Sequence, residues 1–312
     1  MVLQHNKYAS LKYNLGTTNP NIFFVMKKLI PLILLACFAL AATPARKKLK
    51  LPKAYVYVPS GTLTENGEKK SIRGFYMQKS EVTNMHYLEF LSWLKHYGTP
   101  EDLAKAQVRP EGWDKATPYG EPMKENYHTH PAFQEYPVVN ISYDAAQLYC
   151  LWLTSILQER HPDWKIMVRL PTEVEWNYAA RAGKDGLPYP HGYYLRDANG
   201  KLLYTYHHLG DESITRDAGT GEIKVVEMPN ALPNGNFFGP SVAEAGKPND
   251  FGLFNTSGNV AEMLLEPGKH KGGCFSSTGY DIRIDAPDEF AGVTEASPFI
   301  GFRVSLEVLK PQ

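Results

Sequence analysis

Helical periodicity in this chain stops near Gly183 and never alternates with strands, an ordering that excludes a doubly wound α/β sheet. Tyr87, Leu88, Leu91 and Leu94 recur at helical spacing behind Thr83 or Asn84 as N-cap, and the pattern ends at Tyr97-Gly98. Ser142 caps a second predicted helix, with Asp144 in the first turn where its charge suits the helix dipole. Ala145, Leu148, Trp152 and Ile156 form its expected apolar face. A third, shorter helix follows Pro171, opened by the capping box Thr172-x-x-Glu175 and closed by Gly183. Short strands are expected at Tyr55–Val58, 74–79, 138–141 and 300–304, while 99–136 reads as irregular and 184–250 as loops and short strands. The fold class is therefore α+β with few regular elements.

Composition agrees. The 312 residues include 25 Gly, 23 Pro and 19 Tyr, a mixture suited to a loop-rich domain with tight turns, and 43% hydrophobic residues suffice for a core. With 33 basic and 33 acidic side chains there is no electrostatic argument for nucleic acid or an anionic membrane as partner. Lys27 and Lys28 precede an apolar run over 29–42, followed by the small-residue sites Ala39-Leu40-Ala41 and Thr43-Pro44-Ala45. Residues 26–45 thus read as a signal peptide, with translation expected from Met26 and residues 1–25 as a non-native extension. Residues 46–52 read as a linker and 53–312 as one domain. Leu34-Leu35-Ala36-Cys37 offers an alternative, a lipid anchor at Cys37. The bulky Leu35 and the apolar residues beyond Cys37 favour an ordinary signal-peptide core. Only Cys150 and Cys274 then remain, one disulfide at most, and Cys150 reads as a small buried hydrophobe.

Short motifs stand in one order across the chain: Val58-Pro59-Ser60-Gly61, Phe75-Tyr76-Met77, Glu81-Val82-Thr83-Asn84, Pro137 through Ser142, Arg169-Leu170-Pro171-Thr172-Glu173, Ala179-Ala180-Arg181, Asn249 through Leu253, Ser257-Gly258-Asn259-Val260, Gly272-Gly273 and Ile300 through Val304. Each is weak alone; as an ordered set they resemble the formylglycine-generating (sulfatase-modifying factor) enzyme domain. The resemblance spans about residues 53–306 and implies a C-type-lectin-like fold. In finer detail, Tyr189 through Arg196, Pro248 through Phe254 and Gly258 through Glu262 look like the version of this domain in gliding-motility and type IX secretion lipoproteins. That likeness implies an exported protein, periplasmic or associated with the outer membrane of a Gram-negative bacterium.

The family is similar in holding copper with two thiolates, three and eight positions after the Ser of a Gly-Gly-Ser motif. Soft sulfur ligands suit Cu(I). Here the motif is Gly272-Gly273-Cys274, and those positions fall on Ser277 and Ile282, so copper is not expected and no catalytic residue is assigned. An iron motif of the His-x-x-x-His-x-Glu type is absent, and His128, His130, His207 and His208 read as solvated loop residues. The resemblance also implies structural calcium, its positions matching Asn255, the carbonyls of Gly258 and Val260, and Glu262. A hard cation takes such oxygens. A second calcium site is not convincingly present, with Thr205 and Asn234 near its positions. Glu173 and Glu175 are explained by capping, and Arg283 and Arg303 match family arginines that pair structurally.

Two readings of function follow. One is a binding or structural module of the cell envelope, linked to gliding or type IX secretion, with an envelope protein or a glycan as partner. Its candidate surfaces are the Tyr- and His-rich loops of 99–136 and 193–240. The other is a metal-dependent oxidoreductase of the same superfamily with altered chemistry, for which the sequence offers no redox ligand set.

Overall fold

The computed structural model describes residues 49, 51–65, 67–116, 120–207, 213–216, 220, 223–226 and 239–309. The expected extension, the signal peptide with Cys37, most of the linker, His208 and Asn234 lie outside the described residues.

A four-stranded antiparallel sheet ties the two ends of the domain together. Strands β1 (Tyr55–Val58) and β4 (Phe75–Gln78) pair with Tyr55 opposite Gln78, and the hairpin of β2 (Gly61–Glu65) and β3 (Glu68–Ile72) is inserted between them. β5 (Lys165–Arg169) forms the far edge. The last described strand, β11 (Ser305–Leu309), fills the gap, with Ser305 opposite Met77 on one side and Arg169 on the other. A hairpin of β6 (Ser213–Arg216) and β7 (Ile223–Val226) stands apart from this sheet. Three very short strands form a second sheet: β8 (Ala261–Met263) lies between β9 (His270–Lys271), antiparallel, and β10 (Ile300–Gly301), parallel.

Helix α1 (Asn84–Tyr97) starts where expected, with Thr83 Oγ1 accepting from His86 N, and ends at Gly98. The segment 99–136, expected to be irregular, instead holds α2 (Pro100–Ala106), α3 (Trp113–Ala116) and α4 (Glu121–Asn126) with two 3-10 turns. Their prolines, which read as breakers, occupy first-turn positions where no N–H is needed, as Pro100 does behind the Thr99 cap.

α5 (Tyr143–Arg160) is capped by Ser142 as expected. Its buried face is rotated from the expected one: Tyr149, Cys150, Leu153 and Leu157 are buried, whereas Leu148, Trp152 and Ile156 are only partly so. The rotation lets polar residues of α5 clasp β5: Thr154 Oγ1 accepts from Val168 N at 3.0 Å and Gln158 Oε1 from Ile166 N at 3.1 Å. α6 (Glu173–Ala180) carries the full capping box. Arg169 reaches both oxygens of the same Glu175 at 2.7 Å and Glu307 at 2.6 Å, joining helix cap to sheet edge.

Two expected strands are corrected. Residues 138–141 bond in single steps to different neighbours, Val138 N to Val82 O and Asn140 N to Ser297 O, and form no ladder. Of the strand expected at 300–304 only Ile300–Gly301 forms; residues 302–304 join no sheet and lead into β11 at Ser305. Phe302 and Val304 carbonyls accept from Val82 and Gln78, and Arg303 turns into the interior. Among the described residues no helix is long and apolar enough to cross a membrane.

Candidate functional site

The interior is organised on Arg303, which is fully buried. Its Nε and Nη2 donate to the two oxygens of Glu262 at 2.6 and 2.5 Å. Nη2 also reaches Phe254 O at 2.8 Å, and Nη1 reaches Lys79 O at 3.2 Å and Gln78 O at 3.4 Å. Trp176 of α6 donates its indole N–H to Glu262 at 2.7 Å. One guanidinium thus joins β8, α6 and the segment after β4, and a bidentate pair of this kind is both strong and geometrically specific.

A second buried carboxyl group, Glu81, lies within the electrostatic reach of that cation without pairing with it. Burial pushes its pKa up to about 8, against the pull of Arg303 and with the push of Glu262. Asn259 Nδ2 donates to it at 2.9 Å and Asn255 Nδ2 at 3.5 Å. Both asparagines have positive φ, 65° and 49°, in a turn closed by Gly258. A Cβ on Gly258 would stand 2.2 Å from Thr205 O, so the close pairing of Thr205 with this turn requires glycine.

Asn255, Gly258, Val260 and Glu262 were expected to hold calcium. As arranged, they do not fit a hard cation. Both oxygens of Glu262 face Arg303 and Trp176, and Asn255 points its N–H at the carbonyls of Val242 and Ala243, at 3.3 and 3.0 Å. Among the described residues no three His, Cys, Asp or Glu side chains converge as a metal site.

The positions expected to carry the family's thiolates are both buried. Ser277 donates to Glu289 Oε2 at 2.6 Å and accepts from Cys274 N at 2.8 Å, and its Oγ lies 3.3 Å from Cys274 Sγ. Ile282 packs among Tyr189, Tyr204 and Tyr206. Near Ser277, on the far side of Glu289, a pocket of about 10 Å³ is edged by His270, Asp281, Asp288 and Glu289, with room for about one water. Cys150 and Cys274 are free and buried; burial pushes the Cys150 thiol up to about 12 and raises that of Cys274. An alcohol, an alkyl group and two protonated thiols do not fit copper.

The histidines divide. His128, expected to be solvated, is largely enclosed: its Nδ1 lies 3.2 Å from Asn84 Oδ1, and burial lowers its pKa to about 4. His130 is exposed and caps a 3-10 turn through Ala132 N, and His207 N donates to Ser277 O. Arg283 stacks on Tyr280 and donates to its carbonyl, a structural role as expected. The sequence assigned no role to Glu81, although the motif containing it was noted. A lone carboxylate in a mixed motif carries no signal of burial.

The family model described as Sulfatase-modifying factor enzyme 1-like domain matches residues 41–308. Formylglycine-generating enzyme from Bos taurus is 26% identical over 247 residues, 69% of this chain and 58% of the relative. Inactive C-alpha-formylglycine-generating enzyme 2 from Bos taurus is 26% identical over 233 residues, 69% and 64% respectively. Formylglycine-generating enzyme from Thermomonospora curvata is 24% identical over 263 residues, 72% and 74%. The chain thus spans less than two thirds of the mammalian relatives' length. The solved structure of PvdO from Pseudomonas aeruginosa matches 81% of the chain and 94% of its own length, at 16% identity and a TM-score of 0.49.

Proposed function

The chain belongs to the sulfatase-modifying factor enzyme 1-like domain family, and from that premise we propose that it keeps the scaffold without the oxidative centre and serves as an exported binding or structural module of a Gram-negative cell envelope. One observation carries this reading: the positions of the thiolate pair are a buried serine bonded to Glu289 and a buried isoleucine among tyrosines. A redox copper centre needs paired soft donors open to oxygen and substrate, and neither requirement is met. Relatives named Inactive C-alpha-formylglycine-generating enzyme 2 support a domain that persists without that activity. The envelope role and a link to gliding or type IX secretion, through a protein or glycan partner, rest on the signal-peptide pattern and the motif likenesses over 189–196, 248–254 and 258–262.

Metal analysis of the purified chain is the direct test, together with mass spectrometry of a cysteine-containing sulfatase peptide incubated with it. The expected result is neither copper nor iron and an unmodified peptide. One equivalent of either metal, or conversion of cysteine to formylglycine, would overturn the reading. Mass spectrometry of the mature N-terminus separates cleavage after the apolar run from lipidation at Cys37.

A further inference from the structure

Away from Arg303 and Ser277, a cleft of about 420 Å³ opens between the β2–β3 hairpin, α6 and the turn carrying Asp285. Its floor holds Arg181, whose side chain is only 8% exposed yet poorly used. Nε donates to Leu187 O at 3.0 Å, whereas Nη1 stands 3.8 Å from Glu65 Oε1, beyond hydrogen-bond reach. Glu65 is satisfied elsewhere, accepting from Asn177 Nδ2 at 2.6 Å and Lys70 Nζ at 3.2 Å. The terminal nitrogens of Arg181 therefore offer a planar fork of donors to whatever enters. Asn177, 4% exposed on the same wall, leaves its Oδ1 without a donor.

The opposite charge is also available. Asp285 is 55% exposed, and its closest cation, Arg283 Nε, is 3.9 Å away and already donates to Tyr280 O. Glu173 and Lys271 on the rim neutralise each other at 3.1 Å. The lining thus carries three cations, Lys70, Arg181 and Lys271, and three anions, Glu65, Glu173 and Asp285, so the cleft as a whole favours neither a net cation nor a net anion. Two of these groups keep hydrogen-bonding capacity: the terminal nitrogens of Arg181, held only by the 3.8 Å ion pair with Glu65, and the carboxylate of Asp285, held only by the 3.9 Å ion pair with Arg283. A bidentate carboxylate suits the guanidinium, and an ammonium suits Asp285. The volume falls in the small-molecule range of about 300–1,000 Å³.

We propose that this cleft binds a small zwitterion of the amino-acid or short-peptide class, its carboxylate on Arg181 and its ammonium toward Asp285. The site is separate from the thiolate positions, so its fate and that of the envelope-module reading are read by different experiments. Calorimetric titration of the full chain with glycylglycine tests it. Glycylglycine should bind in the millimolar range. N-acetylglycylglycine, which lacks the ammonium, and glycylglycine amide, which lacks the carboxylate, should each bind about tenfold more weakly or not at all. Asp285→Asn, at an exposed position that leaves folding intact, should erase the preference for glycylglycine over its acetylated form; Arg181→Lys should weaken both. Absence of heat at millimolar glycylglycine, equal binding of all three probes, or an unchanged preference in Asp285→Asn would overturn the proposal.

Discussion

Two buried polar clusters, centred on Glu262 and Ser277, stand close in sequence and differ in kind. Around Arg303 and Glu262 the groups are charged, span distant parts of the chain, and use every donor of the guanidinium. Around Ser277 they are neutral hydroxyl and thiol with one carboxylate from the exposed Glu289, drawn mostly from one local loop. The first cluster holds the two sheets and α6 in register. The second lies at the positions onto which the resemblance places the thiolates, and its hydrogen bonds close the turn from Cys274 to Ser277. The scaffold and the reactive position are therefore separable: the centre that stabilises the fold does not depend on which atoms occupy residues 277 and 282.

The largest effect that would test this separation is at the charged centre. Arg303→Met leaves the buried Glu262 without its cation and should cost about 3–5 kcal/mol in urea unfolding. The double variant with Glu262→Gln should lose much less than the sum of the singles. Additive losses would show that the pair is not a unit.

The pH dependence comes next. In the folded chain Glu81 stays protonated to about pH 8, while in the unfolded chain it ionises near the ordinary glutamate value, about 4.3. Between those values the folded state holds the extra proton, so this group's contribution to stability is full at acid pH and is lost as pH rises through about 8. Glu81→Gln should flatten that fall in melting temperature; an unchanged slope would place its origin elsewhere.

A smaller effect is expected at the second cluster. Ser277→Ala leaves the buried Cys274 N–H without a partner, while the exposed Glu289 turns to water, and should cost about 1–3 kcal/mol, with no change in bound metal. The smallest is nil: chelator should leave the melting temperature unchanged, because Glu262 is already held by Arg303 and Trp176. A clear downward shift would mean that Glu262 turns to calcium after all and would join the two clusters into one metal-dependent unit.

Local signals predicted local structure well. Thr83, Ser142 and the Thr172–Glu175 box each cap the helix they announce, because a cap is completed within a few residues of itself. The prediction faltered where a partner far along the chain decides. Lys165–Arg169 and Ser305–Leu309 become strands through pairing that no short window contains, and α5 turns its Tyr149 face inward because β5 and α1 lie there. The helices hidden in 99–136 were missed for a different reason, since proline marks both the end of one element and the first turn of the next.

The sequence by itself determined the family, the α+β class and the identities of Ser277 and Ile282, since motif order and ligand chemistry are properties of the chain. Only the tertiary structure decided that both oxygens of Glu262 face Arg303 and Trp176, that Glu81 is buried within the influence of the same cation, and that the terminal nitrogens of Arg181 make no hydrogen bond among the described residues. Those outcomes depend on which charges meet once water is excluded, and residues 81, 181, 262 and 303 come within reach of their partners only when the sheets and α6 close on one another.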